Sequence, residues 1–331
     1  MTNLVTGATG FLGSALVMEL VRQKQPVRIL ARDPQKARAQ FGAAVDIIVG
    51  DINDEEQVRR SVEGANIIYH LVGRLYHPST PPELYYRTHV EGTRVLLNAC
   101  KGQRQLQRIV HCSTTGVHGE TGKMPAAEDA PFAPTNPYEV TKLEAELLAL
   151  RACKEDGLPV SVARPGLVYG PGDLHLLGFF SSINKGLFRV IDGGKALLHP
   201  IYIDDMTAAF LLCAGRPEAI GHSYNLAGDH PVTIRELATA IAHALDKELP
   251  GGSIPLWLAN LASDIFALVP GMQGEKAPLT RSRVKFLTHS RVYDISRAKN
   301  ELGFAPRIQL EEGMRRTAEW YRKHKVTIQI G

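Results

Sequence analysis

Leu4-Val5-Thr6-Gly7-Ala8-Thr9-Gly10-Phe11-Leu12-Gly13 is the stretch on which the fold turns. Leu4 and Val5 form a short strand that ends in a glycine-rich turn. Leu12, Leu16 and Leu20 then recur at helical spacing, and Pro26 closes that helix. Gly7 permits the tight turn, Gly10 lets a pyrophosphate approach the backbone, and Gly13 lets helix and strand pack closely. The first helical N–H groups point at the space where an anion would sit. Strand before and helix after are the context this glycine spacing needs to bind a dinucleotide.

The alternation continues outward. Strand-like runs lie at 27–30, 45–49, 67–71, 108–112 and 160–163, with helices fitting at about 11–23, 55–63, 84–102 and 137–155. This rhythm predicts an α/β fold, a Rossmann-type doubly wound parallel sheet with helices on both faces. After Gly170 the rhythm breaks, although Ile201-Tyr202-Ile203 and Ser223-Tyr224-Asn225-Leu226 still read as strands. The expected division is a nucleotide-binding domain over 1–170, with 201–228 adding late elements. A smaller, interleaved C-terminal substrate lobe then takes 171–200 and 229–331.

Composition fits this picture. A chain of 331 residues, 44% hydrophobic and 22% charged, is globular rather than disordered, collagenous or coiled-coil. The net charge of +4 is spread without a basic run, which gives no support for nucleic-acid binding. Cys100, Cys112, Cys153 and Cys213 form neither a CxxC pair nor a metal-like cluster; they read as free thiols in a reducing cytoplasm. No metal site is expected. The immediate strand at Asn3–Thr6 leaves no room for a signal peptide, and no apolar run reaches the roughly 18 residues of a membrane span. Residues 254–270 are the most apolar helix-length stretch. They read as a buried helix, or as a lid over an apolar substrate or a membrane-surface contact.

The end of the second strand bears on the cofactor. An acidic residue there suits a ribose 2′-hydroxyl and an arginine suits a 2′-phosphate. The sequence gives Ala31-Arg32-Asp33-Pro34, so Arg32 leans the reading to NADP over NAD, with Asp33 as the counter-argument. At the next strand end, the Asp51 carboxylate is placed to accept from an adenine amino group, with Ile52 packing on the ring. Leu71, Val72 and Gly73 follow the fourth strand as a border to the cofactor.

Asn136-Pro137 reads as a helix cap and first turn. Tyr138 follows, and Lys142, four residues on, shares its face. A free phenol has a pKa of about 10. A nearby ammonium, the helix dipole and an oxidised nicotinamide would favour the phenolate and let Tyr138 exchange a proton with a substrate oxygen. A second such pair, Tyr321…Lys325, sits in a basic helix end without a glycine turn and reads as solvated surface.

In this order, the glycine turn, Asp51-Ile52, Ser113-Thr114, Tyr138…Lys142 and Arg164-Pro165-Gly166-Leu167-Val168-Tyr169-Gly170-Pro171-Gly172 resemble the extended short-chain dehydrogenase/reductase family of epimerases and dehydratases. The similarity runs through nearly the whole chain, to Tyr293-Asp294-Ile295-Ser296 and Leu302-Gly303-Phe304-Ala305-Pro306. It implies a Rossmann-type nucleotide domain, a small substrate domain and commonly a homodimer through two helices per subunit. It implies Thr114, rather than Ser113, as the catalytic hydroxyl beside Tyr138 and Lys142. It also implies Gly7, Thr9, Gly10, Phe11, Leu12, Gly13, Leu71, Val72, Gly73, Pro165 and Val168 around the cofactor. His118 stands where the family usually has Tyr. His89 stands where it usually has an Asn supporting the lysine, which puts the proton relay in question.

Nucleotide-sugar enzymes of the family place an Arg before their Val-Asp-Asp segment; Leu198 takes that position here. Leu174, Leu176, Leu177, Phe179 and Phe180 make the lobe apolar, closer to the 3β-hydroxysteroid dehydrogenase and dihydroflavonol reductase branch. The leading expectation is interconversion of a secondary alcohol and a ketone on an apolar or lipid-like substrate: a sterol, a β-keto or β-hydroxy acid, or a flavanonol. His199 and Arg281 are candidate substrate contacts. A nucleotide-sugar epimerase or dehydratase, and a non-catalytic nucleotide-sensing protein, are the alternatives.

Overall fold

The computed structural model describes residues 1–269, 279–324 and 326. Pro270 of the apolar stretch, Lys325 of the second tyrosine–lysine pair, and the parts of the C-terminal lobe at 270–278 and 327–331 lie outside the described residues.

Six strands follow the sequence pattern: β1 (Asn3–Thr6), β2 (Val27–Ala31), β3 (Asp46–Val49), β4 (Ile67–His70), β5 (Arg108–Cys112) and β6 (Val160–Pro165). Short strands β7 (Leu167–Tyr169), β8 (Val190–Ile191), β9 (Leu197–Leu198) and β10 (Pro200–Tyr202) come next, then β11 (Ser223–Leu226), β12 (Val232–Thr233) and β13 (Ser253–Ile254). The main sheet has seven strands in the order β11-β6-β5-β4-β1-β2-β3, all parallel. Chain direction across the sheet reverses between β1 and β4, so a crevice opens at their carboxyl ends. The strand at Ser223–Leu226 thus completes the sheet, whereas β10 pairs only with β7.

Alternation along β1 shows how the layers form. Val5 faces a core shared with Leu16, Leu20 and Phe210. These come from α1 (Phe11–Arg22) and, later in the chain, the helix Ile203–Gly215; α2 (Pro34–Phe41) packs on the same side through Ala37 and Phe41. Leu4 faces the opposite core with Val58, Leu96 and Ala149. Those belong to α3 (Glu55–Val62), to the stretch containing α4 (Pro82–Tyr86) and α5 (Gly92–Cys100), and to α6 (Pro137–Asp156). A third core joins α7 (Leu177–Asn184), α9 (Ile234–Ala244) and α12 (Leu310–Lys323), with Ala259 of α10 (Leu256–Leu268) and Val284 of α11 (Arg281–Thr288); α8 is Ile203–Gly215.

Three departures from expectation have local causes. Helix α2, absent from the periodicity reading, has only two buried apolar positions; Asp33 starts it by accepting from the Lys36 N–H at 2.9 Å ahead of Pro34. Tyr321 is not solvated surface: it is fully buried and donates to the Asp173 carbonyl at 2.7 Å. Helix α10 is not buried, since Trp257 is 68% and Leu268 80% exposed.

The turn after β1 is close-packed. Gly7 has a φ of +73° and its Cα lies against the Leu71–Val72 peptide, where an added Cβ would sit 2.7 Å from the Leu71 carbonyl. A Cβ on Gly13 would stand 2.2 Å from the Gly7 carbonyl oxygen. Gly13→Ala is therefore expected to push α1 off the turn and destabilise the fold by about 1–3 kcal/mol. An unchanged urea midpoint would refute this packing account.

Candidate active site

Helix α6 begins as the sequence indicates. The Asn136 side chain accepts from the Glu139 N–H at 3.0 Å and Pro137 takes the first turn. Tyr138, Lys142 and Glu146 then follow at four-residue intervals along one stripe facing β5 and β6.

Glu146 is the fixed end of that stripe. Its carboxylate, fully buried, accepts from Arg164 Nη2 at 2.6 Å, Ser113 Oγ at 2.5 Å and Ser223 Oγ at 2.9 Å. Arg164 also donates to the Glu128 carbonyl at 2.8 Å and to His118 Nε2 at 3.1 Å. His118 thus serves the buried arginine. Ser113 is committed to Glu146. Thr114 is the hydroxyl next to the Tyr138 phenol, and its own oxygen accepts from the Gly116 N–H at 3.1 Å.

The electrostatics differ from the simplest expectation. Burial, with the Cys112 thiol nearby, drives the Tyr138 phenol well above its ordinary range, and the neighbouring Thr114 hydroxyl only opposes this. Lys142 is buried and donates to the Cys112 carbonyl; burial lowers its pKa. The ammonium is thus bound to backbone, and burial favours the protonated phenol.

Three buried imidazoles lie behind the lysine. His70 bonds the Thr6 and Thr93 hydroxyls at 2.8 and 3.0 Å. His111 lies 5.5 Å from it, ring to ring, with Nε2 unpartnered. His89 sits in a π-helical turn, Arg87–Glu91, between α4 and α5. Its Nε2 accepts from the Arg74 N–H at 3.0 Å and its Nδ1 bonds the Thr141 hydroxyl at 2.8 Å. His89 therefore ties the loop after β4 to α6 rather than touching Lys142, and its ring meets that of Tyr138 edge-on at 5.6 Å. Burial first and the Lys142 charge second push His70 down to about 3 and His89 to about 2, and hold His111 far below its usual range.

The groove residues connect to this site. Gly7 touches Leu71 and Val72, and a Cβ at Gly73 would meet His89 Nε2 at 3.7 Å. Gly10 caps α1 without a side chain and no acidic residue occupies the first turn, so its N–H groups are open to an anion. Thr9, Phe11 and Leu12 are partly exposed on this turn, with Phe11 beneath Gly172. Arg32 Nη1 stands 3.9 Å from Asp51 Oδ2, while Asp51 Oδ1 is held by Asn53. Ile52 is buried against Gly92. Pro165 is buried at the end of β6, and Val168 is half-buried in β7.

Two candidates are engaged elsewhere. His199 is buried, with Nε2 on the Gly228 carbonyl at 2.8 Å and Nδ1 accepting from the Tyr293 N–H at 3.3 Å. Arg281 forks onto the exposed Asp264 at 2.7 and 2.6 Å. Sequence reasoning missed Arg291, whose guanidinium reaches Glu139 at 2.6 Å and so braces the turn that carries Tyr138. The glutamate three residues after the Asn136 cap was the available signal. Among the described residues, no cluster of three His, Cys, Asp or Glu side chains is placed to hold a metal ion.

Comparison with known proteins agrees with this architecture. The model of the NAD dependent epimerase/dehydratase family matches residues 3–227. A 3beta-hydroxysteroid-dehydrogenase/decarboxylase of Arabidopsis thaliana is 30% identical over 96% of this chain and 78% of its own. The 4-hydroxy-2-methyl-3-oxo-4-farnesyl-3,4-dihydroquinoline-1-oxide ketoreductase of Stigmatella aurantiaca is 28% identical over 95% of both. The crystal structure of a UDP-glucose 4-epimerase from Thermotoga maritima superimposes with a TM-score of 0.77 at 22% identity, covering 98% of this chain and 100% of that one, a likeness of fold.

The neutral histidines make a pH prediction. Their folded pKa values lie below the ordinary 6.5 of a free imidazole, so the unfolded chain binds more protons as pH falls through that value. Stability is held above it and declines by about 1.4 kcal/mol per pH unit for each histidine below it. His89→Asn should remove one such increment between about pH 6 and pH 5 in urea denaturation. An unchanged slope would contradict a neutral His89.

Proposed function

The chain belongs to the NAD dependent epimerase/dehydratase family, and from that premise we propose that it interconverts a secondary alcohol and a ketone on an apolar, lipid-like substrate, with NADP preferred. The observation that carries this is the Thr114–Tyr138 hydroxyl pair, linked through His89 and the loop after β4 to the glycine turn.

The groove fits a dinucleotide: a glycine cradle that Cβ atoms would fill and a helix N-terminus without a side-chain cap. Gly7, Gly10 and Gly13 would hold the pyrophosphate, Asp51 the adenosine end, and Leu71 to Gly73 the nicotinamide side. Bound there, the nicotinamide supplies the hydride exchange at the substrate carbon. The chain handles the proton. Thr114 holds the substrate oxygen, and the protonated Tyr138 phenol gives its proton to that oxygen during reduction and recovers it during oxidation. Lys142, anchored on Cys112, keeps positive charge beneath the phenol as its proton leaves.

NADP is favoured because Asp33 spends its carboxylate on capping α2, while the Arg32 side chain is largely exposed beside Asp51. An apolar substrate is supported by Leu198, which takes the place of a phosphate-clamping arginine and is itself buried in the lobe's core. It is also supported by the steroid and farnesyl-quinoline names of the two relatives. Exposed Tyr86, Val140 and Leu147 on α4 and α6 support a homodimer through these helices.

Arg32→Ala should weaken NADPH binding by about tenfold or more and leave NADH nearly unchanged, as read by fluorescence titration. Equal loss for both cofactors would remove the 2′-phosphate assignment. In a screen of sterols, β-keto acids, flavanonols and UDP-sugars with product analysis, Tyr138→Phe should lower kcat by about 10²–10⁴ while cofactor affinity holds. Full activity would refute its role. Epimerised sugar without net NADPH consumption would refute the substrate class.

A further inference from the structure

A chain of buried hydroxyls and imidazoles runs from the glycine turn to the start of α6. Its links are Thr6, His70, Thr93, His89 and Thr141, each at most 6% exposed. The direction of every bond follows from the groups at its ends. Thr141 Oγ1 donates to the Pro137 carbonyl at 2.8 Å, with the Tyr138 carbonyl at 3.2 Å, so toward His89 Nδ1 it can only accept. His89 Nε2 accepts from the Arg74 N–H at 3.0 Å, which requires the same Nδ1–H tautomer. Thr93 Oγ1 donates to the His89 carbonyl at 2.5 Å, so His70 Nε2 must be its donor. Burial and the Lys142 charge favour a neutral His70 ring, in which Nδ1 accepts from the Thr6 hydroxyl at 2.8 Å. The donors therefore all point one way, from Thr6, next to Gly7, to Pro137, next to Tyr138.

We propose that this chain is a positioning device that sets the Tyr138 phenol in register with the glycine turn, with Thr141 as its last link and His70, Thr93 and His89 acting through Thr141. The role rests on the proton transfer assigned to Tyr138 above. Two histidines protonated on opposite nitrogens are what make the chain continuous. Reversing either ring would set donor against donor in a buried place, which costs more than one bond returns. The chain thus has a single arrangement. It ties backbone at both of its ends to the first turn of α6, where the Pro137 and Tyr138 carbonyls receive the Thr141 hydroxyl.

In the full chain labelled with ¹⁵N-histidine, one ring should appear as neutral Nε2–H and vanish in His70→Gln, and another as neutral Nδ1–H and vanish in His89→Asn. With ¹³Cζ-tyrosine, the Tyr138 signal is identified by its loss in Tyr138→Phe. It should shift in Thr141→Val, return in Thr141→Ser, and shift also in Thr93→Val, whose hydroxyl bonds His70 and His89. On a ketone that the chain reduces, each valine variant should lower kcat about tenfold with KM and NADPH affinity held within about twofold, and Thr141→Ser should recover it. The double valine variant should lose about as much as the worse single one, because both cut the same chain. Charged rings, reversed tautomers, an unmoved Tyr138 signal, unchanged kcat or losses that multiply in the double variant would each overturn the device. The histidine tautomers are read on the unaltered chain, so a valine variant that fails to fold leaves that test standing. Absence of turnover on every ketone would remove the proposed reaction instead, since both spectra are read without substrate.

Discussion

Everything at the candidate site depends on how Glu146 is held. A buried carboxylate is costly unless its lone pairs are met. Here Arg164, Ser113 and Ser223 meet them from three strands or strand ends. This clamps α6 to β5, β6 and β11 at one point. Lys142, one turn earlier, adds a second tie at Cys112. Tyr138, another turn back, then has little freedom, and Thr114 stands beside it because its neighbour Ser113 is occupied. Substituting one partner of such a pair leaves a buried charge alone, so the cluster serves the geometry more than net stability.

The same packing sets the proton inventory. Burial favours the protonated form of the Tyr138 phenol, and Lys142 bonds a backbone carbonyl rather than a carboxylate. Burial and the Lys142 charge both push the surrounding imidazoles toward their neutral forms. His89, at the family's asparagine position, has both ring nitrogens occupied by the Arg74 N–H and Thr141. It acts as a brace between the β4 loop and α6. Arg291 braces the other side of the same helix start through Glu139.

Much of this was legible in the sequence, for physical reasons. The glycine turn is local: Gly7 and Gly13 are required by contacts a few residues away or directly across one strand. The Tyr138 and Lys142 stripe follows from helical spacing. Apart from the edge strand β3, the strands of the main sheet are short runs buried as parallel strands require. What was not legible depends on distant partners. Helix α2 has too little apolar surface to show a period. The π-helical turn at His89, the Arg164–His118 contact and the Arg291–Glu139 bridge join residues far apart in the chain. His199 and Arg281 were read for chemistry that backbone groups and Asp264 take up instead. The apolarity of α10 was visible, but its outward orientation was not, since composition does not say which face a helix buries.

The most direct measurement is a crystal structure of the chain soaked with NADP and a substrate ketone analogue. The account predicts the pyrophosphate on the Gly7–Gly13 turn and the analogue's oxygen between the Thr114 hydroxyl and the Tyr138 phenol, next to the nicotinamide. A phenol directed away from the groove, with a different side chain beside the reacting carbon, would contradict it.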